Sequence, residues 1–366
     1  MRMTNFAGKD RRRKARLNHR VIRAFRTKLL VLLPCLALLP FWFLLCRLFG
    51  SHTARIVIPL VFATIVFLGI LIETVSTGKF TILLGAILII PIFVSACVAF
   101  ADFPFFAERI ISTRFPSNQS PSFANLLGTD YEGRDILATI IIGGMNAYLV
   151  ALLATTIALL VGVPTGLGLA VRNRVVRAVA SSLTQFFEIV PQLFFVLIVL
   201  GVFNFWAAAS AGSRLVALYA VPMAAFAIGF SSLPSIARIV ENKVQQLQSR
   251  RFVTALQSSN VSRTKILLYN ILWKNCITEI VVQATFLFGA TILIESALGY
   301  AFEIGFGDLG TGGYLSWGKI LAESRRSILF GENTWIVAFP ILVTIMSILG
   351  INIIGDTLVK FMRKEA

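Results

Sequence analysis

The chain has 366 residues, 57% of them hydrophobic and only 14% charged, with a mean hydropathy of +0.82. Soluble domains carry roughly 25% charged residues, and a soluble core of this size cannot hide so much apolar surface. Composition therefore excludes a soluble protein and specifies a polytopic membrane one. The net charge of +17 does not signal nucleic acid: 11 Lys and Arg fall within residues 1–28, where Asp10 is the sole acid. The rest gather near the ends of apolar runs, as positive-inside topology requires.

A bilayer core of about 30 Å needs roughly 20 apolar residues per helix. After a basic arm at 1–28, apolar runs at 29–46, 56–72 and 80–101 predict three helices. The first follows 28 polar and basic residues and lacks a small-residue cleavage site, so it reads as a retained anchor rather than a signal peptide. Residues 102–138 carry Pro104, Pro116 and Pro121 and form a polar segment outside the bilayer. The run 136–171 is too long for one span. Its helix is predicted at about 145–171, with its start at the membrane edge. Further helices are predicted at 178–213, which contains Glu188, and at 215–237. A basic, polar insert at 238–274 follows, then helices at 280–302, which contains Glu295, and at 333–355. Between these two lies a glycine-rich stretch at 299–333, with Trp317 and Trp335 expected at the membrane–water interface.

The total is eight spans. With that number the N-terminal arm, Arg172/Arg174/Arg177, the insert and Lys360/Arg363/Lys364 all fall on one side, predicted to be the cytoplasm. Both termini share that side, and 102–135 and 303–332 lie on the other.

Little in the chain can do covalent chemistry. Cys35, Cys46, Cys97 and Cys276 lie in or beside apolar runs without CxxC spacing and read as small hydrophobes. His19 and His52 have no ligand partners nearby, so no metal site or membrane-protease arrangement is expected. Gly313–Lys319 has the GxxxxGK spacing of a phosphate loop, but Ile320 stands where Mg²⁺ needs a hydroxyl. Any ATP is therefore expected on a different polypeptide.

Two acids stand in apolar runs, where a carboxylate costs about 2.5–3.5 kcal/mol on insertion scales. Glu188, just before Pro191, reads either as a carboxylate on a translocation path or as one bonded to backbone groups freed near the proline. Glu295 is either part of an external gate or an interface marker. Asp135 is placed to cap a helix start. The segment 250–262 reads as two short helices with a sharp turn at Asn260, a residue that tolerates left-handed backbone. Val253, Leu256 and Val261 would offer apolar contact to a partner. The alternative is a basic amphipathic helix lying on membrane lipid.

Several strings together carry a family resemblance. Gly128-Thr129-Asp130-x-x-Gly133-Arg134-Asp135 precedes the pair Gly143-Gly144. Phe252–Ser262, Glu295–Tyr300, Ser316–Leu321 and Asn352–Leu358 follow in order. Over about residues 125–360 the chain resembles the C-type permease subunit of dipeptide/oligopeptide/nickel ABC importers. The resemblance implies an all-α polytopic protein of the inner membrane, with a type I permease core at 139–360 and extra N-terminal helices. It implies a second related permease, an external substrate-binding protein and two ATPase subunits that hold ATP and Mg²⁺. No cofactor or catalytic residue is implied in this chain. Coupling to the ATPases falls on Val253, Thr254, Ala255, Leu256, Asn260, Val261 and Ser262.

The departures from the family pattern are Thr254 for Glu, Leu256 for Ala and Asn260 for Gly. Asn146 and Tyr148 stand where an Arg-Ser pair is expected, and three helices precede the Gly-Thr-Asp string instead of one. Two rivals follow: a secondary transporter or channel using Glu188, and a permease-like scaffold whose coupling has been lost.

Overall fold

The computed structural model describes residues 115–171, 173–210, 213–248, 266–302, 315–325 and 333–365, with six positions of the insert (250, 251, 253, 258, 259 and 262). The basic arm and the three N-terminal helices expected at 29–101 lie outside the described residues. Every regular element among those described is helical: α1 (Ile136–Ala170), α2 (Arg174–Ile189), α3 (Gln192–Ser210), α4 (Ser213–Ser231) and α5 (Leu233–Gln248), then a π-helical stretch (Ile266–Cys276) that runs into α6 (Ile277–Phe302), then α7 (Trp317–Glu323) and α8 (Trp335–Glu365).

Among the described residues, four stretches are long and apolar enough to cross a bilayer: Ile136–Ala170, Val221–Gln248, Ile266–Ala301 and Trp335–Thr357. The second crosses the α4–α5 junction. A fifth is added if α2 and α3 are one broken span, with a bend of 91° between them.

Three expectations change. α1 begins at Ile136 rather than near 145, because the Asp135 carboxylate accepts the Leu137 N–H at 2.9 Å and closes the first turn. The single helix expected at 178–213 is two helices at nearly a right angle, with Pro191 between them; proline disfavours helical backbone in the residue before it. Ile266–Cys276, expected within the polar insert, instead extends the helix at 280–302 backward.

α1 is the axis of the bundle. Gly162 and Gly166 let α5 approach closely: a Cβ at Gly162 would stand 2.7 Å from the Ile236 Cβ, and one at Gly166 2.5 Å from the Ala237 carbonyl oxygen. Small residues serve helix contact in lipid, where apolar attraction between helices gives little. α4 and α5 run in the same direction as α1, since Gly229 meets Ala154 and Ile157 while Ile236 meets Gly162. α6 runs the other way. Its Ile292 packs with Ala138 and Ile142 near the start of α1, and its Ile280 with Ala170 at the end. The bundle thus has two ends. One gathers the start of α1, the end of α6, α7 and the start of α8. The other gathers the end of α1, α2, the end of α5 and the insert.

Candidate functional site

The Gly-Thr-Asp string builds a tight loop over the first end. Gly128 and Gly133 have φ of +81° and +78°, a region L side chains rarely enter. A Cβ at Gly133 would also strike the Phe115 carbonyl oxygen. The Thr129 hydroxyl donates to the Pro116 carbonyl and accepts from the Gln119 N–H, both at 2.8 Å. Asp130 accepts the backbone N–H groups of Glu132 and Arg134 at 2.9 and 2.8 Å on one oxygen, and the Arg134 Nε at 2.6 Å on the other. The far end of the Arg134 guanidinium donates to Glu323 on α7.

Burial works against the charge on Arg134, but Asp130 and Glu323 outweigh it and hold the guanidinium above its ordinary pKa. Burial, with help from Glu323 and Glu132, pushes the neighbouring Tyr131 phenol up to about 12.

α7 is the piece that joins the other strings. Trp317 is completely buried, and its indole N–H donates to the Ile140 carbonyl at 2.9 Å. Gly143 and Gly144 make its slot: a Cβ would stand 2.8 and 3.0 Å from the indole ring. Asn146 donates to the Leu315 carbonyl at 2.8 Å, and Tyr148 meets Trp317 edge-on at 6.1 Å. The two positions that depart from the family's Arg-Ser pair therefore hold this segment. On its other side, a Cβ at Gly318 would overlap the Ser296 carbonyl, and one at Gly299 would strike Ser316. Glu295 is fully buried beside Ser296, whose hydroxyl lies 3.5 Å from its carboxylate. Gly355 on α8 packs against Thr285.

Of the strings that carried the resemblance, those at 128–135, 143–144, 295–299 and 316–319 thus meet at one end of the bundle. Sequence reasoning missed Glu323 and the Trp317 slot, because their partners lie more than a hundred residues away along the chain.

At the other end, Val253 is 2% exposed and packs in a core with Val244, Ile266 and Ile271. Its contact is with the bundle rather than with a partner. Ser262 is exposed and its carbonyl accepts the Ile266 N–H at 3.1 Å. Thr254, Ala255, Leu256, Asn260 and Val261 lie outside the described residues.

Glu188 sits at the end of α2, beside the bend, and not within a continuous span. Its two oxygens accept Nε and a terminal nitrogen of Arg238 at 2.8 and 3.0 Å, and Arg238 also reaches Glu241 at 3.0 Å. The partner of Glu188 is thus a guanidinium from α5, not backbone freed by Pro191. A second tie holds the same corner, the Gln192 amide donating to the Ser232 hydroxyl at 2.8 Å. Among the described residues no cluster of His, Cys, Asp and Glu suits a metal ion.

A bundle of apolar helices with a motif-built loop at one end and a polar insert at the other is that of a polytopic membrane protein. A family model for the binding-protein-dependent transport system inner membrane component matches residues 162–364, more than half of the chain, and the chain belongs to that family. It is 29% identical over 262 residues to the dipeptide transport system permease of Alkalihalophilus pseudofirmus, covering 69% of this chain and 78% of that one. It is 28% identical to the di/tripeptide transport system permease of Pseudomonas aeruginosa, covering 64% and 70%. It is 26% identical to the probable D,D-dipeptide transport system permease of Escherichia coli, covering 64% and 72%. Among solved structures, a chain of the MetNI methionine ABC transporter in an inward-facing conformation is similar with a TM-score of 0.46 and 15% identity, over 62% of this chain and 97% of that one.

Proposed function

We propose that this chain is the membrane-spanning subunit of an ATP-driven peptide importer. It pairs with a second, related permease, receives peptide from an external binding protein, and is driven by two ATPase subunits that carry ATP and Mg²⁺. The family match over residues 162–364 carries this reading, and the named activities of the peptide-permease relatives supply the substrate class. The chain performs no covalent chemistry and moves solute by alternating access, with the insert at 250–262 receiving the motion of the ATPases.

Charge bias orients the molecule. The insert, Arg174 and Arg177 face the cytoplasm with both termini, and the loop at 128–135 faces outward. The ion cluster of Asp130, Arg134 and Glu323 then braces the outer end. The experiment is uptake of a labelled dipeptide in cells that express the chain with its neighbouring permease, ATPases and binding protein. Deletion of the chain abolishes uptake and its return restores it. Uptake that persists with the ATPase inactivated contradicts the proposal.

A further inference from the structure

α2 divides into three faces of different chemistry. At 3.6 residues per turn, or about 100° per residue, Val175, Val179, Phe186 and Ile189 share one face, with Ser182 among them. All four apolar residues are exposed, from 53% to 79%. Arg174, Arg177, Ser181, Gln185 and Glu188 share a second, polar face. Val176, Ala180, Leu183, Thr184 and Phe187 share the third, which meets the bundle: Ala180 and Val176 lie against Gly168, Leu183 joins the Leu169 and Leu233 cluster, and Phe187 stacks edge-on with Phe195 at 5.1 Å. A spanning helix enclosed by lipid and bundle alone has no place for a polar stripe along its whole length. A helix lying at the edge of a bundle, half in lipid and half in water, needs all three faces.

The geometry agrees. α3 leaves the bend at 91° to α2, and its 19 residues, at about 1.5 Å each, extend about 28 Å, close to the bilayer core of about 30 Å. The corner is pinned by the bonds Glu188–Arg238 and Gln192–Ser232. At the start of α2, the Arg177 Nε donates to the Leu169 carbonyl near the end of α1, with a 2.9 Å bond. Arg174 and Arg177 thus share the polar face at the start of α2, where the proposed orientation puts lipid phosphates in reach of basic side chains.

We infer that α2 is an interfacial helix. Its Val175/Val179/Phe186/Ile189 face rests in the boundary between headgroups and acyl chains, at the insert end of the bundle, and the chain turns into the membrane only at Val190–Pro191. The partner is the lipid surface itself. This differs from a transmembrane helix that starts near residue 178, and from an apolar face reserved for another protein subunit.

Spin labels test it on the full-length chain. In a cysteine-free background, Val175→Cys, Val179→Cys, Phe186→Cys and Ile189→Cys are labelled singly, with Ser181→Cys and Gln185→Cys for the polar face and Ile198→Cys and Val202→Cys for α3. The protein is reconstituted in vesicles of phosphatidylcholine and phosphatidylglycerol, with its companion subunits where they co-purify. Access to oxygen and to a water-soluble nickel chelate gives the depth of each label. The four apolar positions should favour oxygen at one common shallow depth, the polar positions should favour the nickel chelate, and depth should grow only along α3. Depth that climbs steadily from Val175 to Ile189 overturns the proposal in favour of a continuous span. Apolar positions closed to both agents overturn it in favour of a protein partner.

Discussion

Trp317 donates its indole N–H to the carbonyl of Ile140 across 2.9 Å, from a position 177 residues further along the chain. That bond closes a slot built by Gly143 and Gly144 on α1, and the same short helix carries Glu323 to Arg134. Four of the strings by which the sequence resembles peptide permeases, at 128–135, 143–144, 295–299 and 316–319, are thus packed together at one end of the bundle, with α7 between α1 and α6.

The slot has no room to spare. Gly143→Ala places a Cβ 2.8 Å from the Trp317 ring, and overpacking of this kind costs about 1–3 kcal/mol. Thermal unfolding of the detergent-purified protein should show a lower midpoint for this variant. Gly201→Ala, with nothing within 4 Å of its Cβ, should match the parent or exceed it slightly. Equal midpoints for both variants would contradict the packing account.

Arg134→Gln removes the cation between Asp130 and Glu323. The side chains of Arg134 and Asp130 are 12% and 8% exposed, so two carboxylates are left poorly solvated. Breaking such a pair from one side costs about 3–5 kcal/mol when fully buried; partial exposure of Glu323 brings this to about 2–4 kcal/mol. Limited proteolysis between residues 115 and 127 should accelerate, and the companion change Glu323→Gln should recover part of the loss. An unchanged digestion rate would show that the ion cluster does not hold the loop.

Glu188→Gln separates structure from ion coupling. The side chains of Arg238 and Glu188 are 40% and 37% exposed, and pairs this open contribute about 0–1 kcal/mol. Unfolding should shift by no more than about 1 kcal/mol, and peptide uptake should gain or lose no dependence on pH or cation gradients. A clear change in ion coupling at normal protein levels would favour a secondary transporter.

The five apolar runs from residue 136 onward were legible, because length and hydropathy are properties of the chain alone. What hydropathy does not record is direction. The run 178–213 stays apolar on average through Pro191, so the right-angle bend is invisible, although the three-faced pattern of α2 was present in the order of its residues. Asp135 was readable as a cap because its partner, Leu137, is local. Glu323, Arg238 and the Trp317 slot were not, since each depends on a residue brought close only by folding. Val253 misled for the opposite reason: an apolar residue in a polar insert looks like a contact for a partner, yet here it completes the core around Val244 and Ile266.

Sidedness follows from charge and is open to labelling. Cysteines at Ser117 and Gly312 should react with an impermeant reagent applied from outside, and one at Gln246 only after the membrane is breached. Ser117 and Gln246 on the same side would reject the eight-span topology.

The central claim is that this permease is driven by a separate ATPase through its insert. Ala255 stands in the string that resembles the family's coupling motif, and Asp there places an unpaired charge in a protein contact, at a cost of several kcal/mol, about 3–5 if the contact is buried. The decisive measurement is co-purification of the ATPase with the wild-type chain and with Ala255→Asp, read beside peptide uptake. The expected result is a wild type that retains its ATPase and a variant that inserts normally but loses both ATPase and uptake. A variant that keeps its ATPase and transports peptide, or a wild type that recruits no ATPase, would contradict the account.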